Sequence, residues 1–320
     1  MLDLIIIGSG PAALSAAIYV AREHMETVVF ERKTVGGLLA GIDKIENYTG
    51  FVAGSGAELA KVMRTQAEHF GAKIKYGEVT EVKKRGEVFE LTVDGESVKA
   101  RAVLVATGSE PAKLGIDGED LKGISYCATC DGAFFDGKTV AVIGGANSAV
   151  QEALFLLKFV KKVFLISHSA IKSSETLKKQ LKEAVKAQKI EVLENIEPKR
   201  FVSDGEMTTE KQRAQAKTAT NVEHKPCVAR VIVEDKGKER EVKIDGAFIF
   251  VGHRPATTFL AGTDVELSEK GAIVTDGNLM TKVAGLFAAG SVRAGAVDQV
   301  ITVAGDGAAA AVSIRKYLQK

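Results

Sequence analysis

The sequence is short of cysteine, of net charge and of long apolar runs, and each shortage closes off a class of function. Only three cysteines occur in 320 residues, too few for the many-bridged framework that holds small secreted domains together. The 43 basic and 41 acidic side chains leave a net charge of +2, which supplies neither the basic field of a nucleic-acid surface nor a polybasic membrane patch. No stretch approaches the roughly 18 apolar residues that mark a membrane-spanning helix. The first apolar run, Leu4 to Ile7, follows the acidic Asp3 rather than a basic leader region. The expectation is a cytoplasmic protein, without nucleic-acid or membrane partners, that acts on small molecules or on other proteins. At this length, with 46% hydrophobic side chains, the chain can build about two domains with separate cores.

What is present is a repeated strand, glycine turn and helix. Leu4-Ile5-Ile6-Ile7 is a continuous apolar run of the kind a buried parallel strand carries, and it ends at Gly8 before an Ala-rich helical pattern from Pro11 to Arg22. The same order returns at Thr139-Val140-Ala141-Val142-Ile143, followed by Gly144-Gly145-Ala146-Asn147-Ser148-Ala149 and a helical pattern to about Lys158. Two such units predict an α/β fold of two Rossmann-like three-layer domains, the second inserted in the first. Strands at Ala72 to Val82, Val88 to Val93 and Ser97 to Ala100, with turn residues at Arg85-Gly86 and Asp94-Gly95, predict hairpins on the first domain. Ala102 to Ala106 predicts a further buried strand. Boundaries near 112 and 246 give residues 1–112 and 247–320 to one domain and 113–246 to the other, with the strand pattern at Phe248 to Gly252 returning the chain. Asp204 to Lys225 is polar and predicts an exposed hairpin or loop.

Gly8-Ser9-Gly10-Pro11-Ala12-Ala13 fits the dinucleotide fingerprint directly after a strand, and Glu31 closes the next strand about 20 residues on. Gly8 permits the tight turn, Gly10 lets backbone approach a pyrophosphate, and Ala13 keeps helix close to sheet. Helix N–H groups face the phosphates, and Glu31 can accept from ribose hydroxyls. The fingerprint alone does not separate FAD from NAD. Cys127-Ala128-Thr129-Cys130-Asp131 precedes the second unit. Two thiols at this spacing can close a small disulfide with one activated thiol, and Asp131 can carry a proton. Zinc would need two further ligands, and only Cys227 and scattered histidines remain; no metal site is expected. A flavin near such a pair accepts two electrons and reduces a disulfide, chemistry no side chain performs alone.

With Gly36-Gly37, Glu46-Asn47, Ala106-Thr107-Gly108, Phe250-Val251-Gly252 and Gln299-Val300 leading to Ala304-Gly305-Asp306-Gly307, the chain resembles the low-molecular-weight thioredoxin reductase family over essentially its whole length. The resemblance implies an FAD-dependent, homodimeric enzyme that reduces a thioredoxin-like protein through Cys127 and Cys130, with Cys130 nearer the flavin and Asp131 as acid. It implies that Gly8, Ser9, Gly10, Pro11, Ala12 and Glu31 hold the ADP half of FAD and that Gly36, Gly37, Leu38, Leu39 and Asn47 line its riboflavin half. It further implies that Val79, Ala106, Thr107, Gly108, Gly290, Ser291, Gln299 and Val300 complete the site, with a helix from about Gly305 aimed at the flavin.

Three departures stand out. Ala146 replaces the middle glycine of the second fingerprint. Ser167, His168, Ser169 and Ser173 stand where NADPH-dependent members carry His-Arg-Arg and a further Arg, so the guanidiniums that grip a 2′-phosphate are gone. Ser291 replaces an aspartate, and Leu38 a glutamine, near the flavin. The departures weaken NAD(P)H as donor and raise reduced ferredoxin or a reduced deazaflavin, which relatives lacking the motif use. A flavin-binding redox sensor without turnover is the non-enzyme alternative.

Overall fold

A computed structural model describes residues 1–42, 44–203 and 227–319. The polar segment Asp204 to Lys225 lies outside them. The chain divides into two units, Met1–Glu110 with His253–Lys320, and Pro111–Gly252.

In chain order, the first unit opens with β1 (Leu2–Ile7), α1 (Pro11–Arg22), β2 (Thr27–Glu31), α2 (Gly56–His69) and β3 (Lys73–Tyr76). It continues with β4 (Val79–Arg85), β5 (Val88–Val93), β6 (Glu96–Val105) and β7 (Ser109–Pro111). The second unit holds β8 (Ile124–Ser125), α3 (Ala128–Asp131), β9 (Thr139–Ile143), α4 (Asn147–Leu156), β10 (Lys162–Ser167), α5 (Glu175–Lys186) and β11 (Ile190–Glu194). After these come β12 (Glu197–Ser203), β13 (Val228–Asp235), β14 (Lys238–Lys243) and β15 (Gly246–Ile249). The chain returns through β16 (His253–Pro255), β17 (Leu286–Ala288) and α6 (Val300–Leu318).

The first sheet runs β3-β2-β1-β6-β5-β4, with β17 also on β6. Leu4, Ile5, Ile6 and Ile7 are buried on both faces: Leu4 and Ile6 pack with Leu14 of α1 and Ile314 of α6, and Ile5 and Ile7 with Phe89 and Leu91 of the hairpin layer. A strand hydrophobic at every position belongs in the middle of a covered parallel sheet, and β1 has parallel neighbours on both sides, β2 and β6. The predicted hairpins form, with two changes. The Ala72 to Val82 strand breaks at Gly77 into β3 and β4. The strands expected at Ser97 to Ala100 and Ala102 to Ala106 are one, β6, antiparallel to β5 through Ala100 and parallel to β1 from there. Arg101, the polar interruption, reaches outward to Asp3 and leaves the strand unbroken.

The second unit contains an all-parallel sheet, β11-β10-β9-β15-β8, and an antiparallel one, β12-β13-β14. Here the structure corrects the expected boundary at 246: β15 pairs with β9 and β8 and belongs to the second unit, so the chain returns only after Gly252. An apolar run ending in glycine identifies a buried parallel strand but carries no label for its sheet. The helix expected from Gly305 begins at Val300 instead. Its β-branched first turn, a poor helix former in isolation, is tied down by Thr302, whose hydroxyl donates toward the Val297 and Gln299 carbonyls, and by burial of Val303 and Ala304.

Candidate active site

Two sites take shape, one in each unit. In the first, β1 ends at Gly8, whose φ of +96° and closeness to the Ala106 carbonyl admit no side chain. Gly10 is the N-cap of α1 and Pro11 its first residue, the position where a missing N–H costs nothing. A Cβ at Gly10 would meet no atom within 4 Å, so backbone stands open at the mouth of the turn. Ser9 is fully buried, and both its N–H and its hydroxyl donate to Glu31 Oε2, at 3.0 and 2.6 Å. Glu31 Oε1 accepts the Lys33 N–H at 2.8 Å. A cavity of about 380 Å³ opens beside these residues, lined by Gly8, Glu31, Val79 and Thr107, together with Arg32 and Glu110, which pair with each other. A glycine turn leading into a helix N-terminus, with a carboxylate and a cavity at the start of that turn, fits the phosphate and ribose groups of a dinucleotide.

The remaining first-unit residues divide by role. Gly36 donates its N–H to the Ser9 carbonyl at 2.9 Å, and Gly37 packs toward Gly10. Leu38 is exposed, whereas Leu39 is a core side chain and can offer a ligand only backbone. Asn47 and Gln299, 252 positions apart, meet through a 3.1 Å hydrogen bond. Thr107 donates to the Ala256 carbonyl, and Ala106 and Gly108 flank it. Gly290 donates to Asp306 Oδ2, which also takes the guanidinium of Arg293 in a two-pronged pair at 2.6 and 2.9 Å. This half-buried pair holds the turn carrying Ser291 against α6, whose first residue is Val300. Ser291, Arg293 and Asp298 line a second cleft of about 580 Å³. The Arg293–Asp306 pair had no signal in the sequence, because ion-pair partners 13 residues apart follow no fixed spacing.

In the second unit Cys127 and Cys130 form a disulfide with Cα atoms 5.3 Å apart. Cys127 is the N-cap of the single-turn α3, and its sulfur accepts the Cys130 N–H at 3.2 Å, with the Thr129 hydroxyl at 3.4 Å. Donors aimed at a sulfur stabilise its thiolate. Asp131 closes α3. On the approach to the pair, the Tyr126 hydroxyl donates to Glu119 Oε1 at 2.6 Å, and Glu119 also accepts from Leu114 and Gly115 N–H. Burial works against the charged Glu119, but these hydrogen bonds outweigh it and hold its carboxyl below the usual range. Burial and the Glu119 carboxylate both push Tyr126 upward. Cys227 is exposed, and no cluster among the described residues could hold a metal.

The family model for pyridine nucleotide-disulphide oxidoreductases matches residues 2–308. The chain belongs to that family. A thioredoxin reductase of Treponema pallidum is 39% identical over 99% of this chain and 97% of its own length, and one of Listeria monocytogenes 35% identical over 99% and 94%. The crystal structure of Lactococcus lactis thioredoxin reductase superposes with a TM-score of 0.86 at 33% identity, covering 100% of this chain and 99% of that one.

The second glycine turn departs from the first, with Ala146 where the first has Gly10. Ala146 is the N-cap of α4 with extended backbone, a conformation any residue adopts, so its methyl group brings no strain. Lys172 donates its N–H to the Gly145 carbonyl at 2.7 Å, and Ser174 donates to Asn147 Oδ1 at 2.8 Å. The segment that would carry the phosphate-gripping arginines thus lies along the turn, but it presents Ser167, His168, Ser169 and Ser173. Ser167 is buried, its hydroxyl filling the space over Gly145.

Proposed function

We propose that this protein is an FAD-dependent reductase that delivers electrons through Cys127 and Cys130 to a thioredoxin-like protein, with a donor other than NADPH held by the usual arginines. The observation that carries the reading is the co-occurrence in one chain of a dinucleotide cradle and a disulfide within a helical turn. FAD bound at the cradle supplies two-electron chemistry. This chain's residues do the rest: Gly10 and the start of α1 face the pyrophosphate, Glu31 and the cavity beside Val79 take the adenosine end, and Asn47, Gln299 and Ser291 take the flavin end. Cys127, with two donors on its sulfur, is the thiolate of the reduced pair, and Asp131 is the acid.

The donor reading rests on His168, Ser169 and Ser173, which stand where the resemblance places arginines. Removing guanidiniums from a phosphate site removes charge-assisted bonds that are roughly twice as strong as neutral ones. Reduced ferredoxin is the donor we favour. The protein acts in the cytoplasm as a homodimer in this reading; no helix among the described residues is long and apolar enough to cross a membrane. Anaerobic titration with NADPH, NADH and reduced ferredoxin, following loss of the visible flavin band, tests it. Bleaching by ferredoxin alone is expected. Stoichiometric bleaching by NADPH refutes the donor assignment, and bleaching without turnover of oxidised thioredoxin makes the protein a redox sensor.

A further inference from the structure

The residue preceding the Cys-x-x-Cys turn by two carries a hydroxyl with more partners than its place in the sequence suggests. Ser125 ends β8 and is held there by parallel pairing with Phe248 of β15. It is 5% exposed. Its Oγ lies 2.7 Å from Asp131 Oδ2, 3.0 Å from the Cys127 N–H nitrogen and 3.3 Å from the Cys127 carbonyl oxygen. A hydroxyl has one proton and two acceptor sites. The Cys127 N–H can only donate, so it occupies one acceptor site, and the proton goes to the nearer of the two remaining oxygens, that of Asp131.

We infer that Ser125 is a positioning residue for Asp131, a rotor that keeps the carboxyl hydrogen-bonded in both of its protonation states. When Asp131 is ionised, Ser125 donates to it. When Asp131 is protonated, its O–H can donate to the second acceptor site of Ser125, and the serine proton turns to the Cys127 carbonyl 3.3 Å away. No bond is lost in the exchange, and the serine stays anchored by the Cys127 N–H, so the carboxyl keeps its place against the start of the Cys-x-x-Cys turn. An alanine could do neither, and Ser125 itself never transfers a net proton.

The inference rests on the reductase reading, in which Asp131 carries the proton of thiol–disulfide exchange. There the two S–H groups of the reduced pair become one S–S bond while the partner's S–S bond becomes two S–H groups. Two electrons and two protons pass to the partner. The attacking sulfur gives up its proton first, and the sulfur released from the partner takes one up; a carboxyl fixed beside the pair can hold the proton between these events. The other ionisable groups near this turn are Cys127 and Cys130 within it, Tyr126 and Glu119 before it, Asp136 and Lys138 after it, and Glu152 on α4, which packs against α3. The facing strand β15 has none.

The test follows the infrared band of the protonated Asp131 carboxyl against pH in the oxidised holoprotein, the band being assigned by its loss in Asp131→Asn. Ser125→Ala loses the bond to both forms, and the one donated to the carboxylate is charge-assisted and the stronger of the two, so the protonation midpoint should move up by up to about one pH unit, equivalent to a tenfold weaker hold on the carboxylate. Ser125→Thr, which keeps the hydroxyl, should restore it. In single-turnover mixing of the pre-reduced protein with oxidised thioredoxin, the acid limb of the rate profile should shift with the same midpoint. An unchanged Asp131 titration in Ser125→Ala, or a threonine variant that titrates like the alanine one, overturns the inference. If the unsubstituted protein fails to reduce thioredoxin, the reductase reading falls, and the infrared titration still decides the role of Ser125.

Discussion

Both oxygens of Glu31 are engaged with the protein's own backbone. One takes the N–H and hydroxyl of Ser9 and the other the Lys33 N–H, so the carboxylate ties the glycine turn to the end of β2 as well as facing the cavity. Glu31→Ala should therefore injure the protein in two ways. It leaves the buried Ser9 N–H without an acceptor, at a cost of about 1–3 kcal/mol, which a thermal melt of the FAD-free protein would read. It also strips FAD, read as lost absorbance after gel filtration. Glu31→Gln keeps one acceptor oxygen and should recover most of the stability but less of the FAD; equal melts for all three proteins would refute the tie. At the second site, Cys130→Ser should leave flavin content unchanged and abolish thioredoxin turnover, and retained turnover would remove the pair from the mechanism. Glu31 was legible in the sequence because its spacing from a glycine turn is set by the length of one strand–helix–strand passage. Ser125 was not, because a serine two positions before a cysteine has no fixed spacing to an acid six residues away until the turn folds back.

At the scale of elements, α1 and α6 pack so closely that two glycines of one helix should behave oppositely. A Cβ at Gly307 would collide with the Ala12 carbonyl, whereas one at Gly305 would meet nothing within 4 Å. Gly307→Ala should thus destabilise by about 1–3 kcal/mol through overpacking. Gly305→Ala should be neutral or gain up to about 1 kcal/mol from helix propensity. Denaturant midpoints of the two variants check both signs. The helix α1 was readable from Gly10-Pro11 to Arg22 because its start signal and its apolar face agree. The start of α6 was not, because Val300-Ile301-Thr302-Val303 reads locally as a strand and becomes helical through packing and the Thr302 bonds. The Glu119–Tyr126 clasp belongs to this scale too. Its carboxyl is held below the ordinary value, so its contribution is fully present above the unfolded glutamate pKa of about 4.3 and is lost as pH falls through the lower folded value. Glu119→Gln should flatten the acid side of the stability profile in that window.

At the scale of the molecule, one strand–glycine–helix pattern occurs twice with different endings, and the proposed choice of donor turns on that difference. The pattern made the parallel strands of both Rossmann-like sheets legible, since it needs only local order. It could not say that β15 belongs to the second sheet, because sheet membership depends on partners distant in sequence. The first copy keeps open glycine backbone and an acidic residue at its cavity; the second keeps its backbone path and lacks the groups that grip a phosphate. If that is the whole difference, restoring the groups should restore the function. Ala146→Gly combined with His168→Arg, Ser169→Arg and Ser173→Arg should create NADPH-dependent bleaching where the parent has little. Hydrogen bonds to charged groups contribute about 1.5–3 kcal/mol each, so even one productive guanidinium–phosphate contact is expected to tighten NADPH at least tenfold. NADH should gain far less, because it lacks the 2′-phosphate the arginines would hold. A graft that folds, keeps FAD and tightens NADPH while NADH stays unchanged would assign the donor change to these four positions. Equal gains for both nucleotides would assign it to the Ala146 methyl group, and a folded graft with no gain for either would mean that more than the phosphate grip separates this second unit from a nicotinamide site.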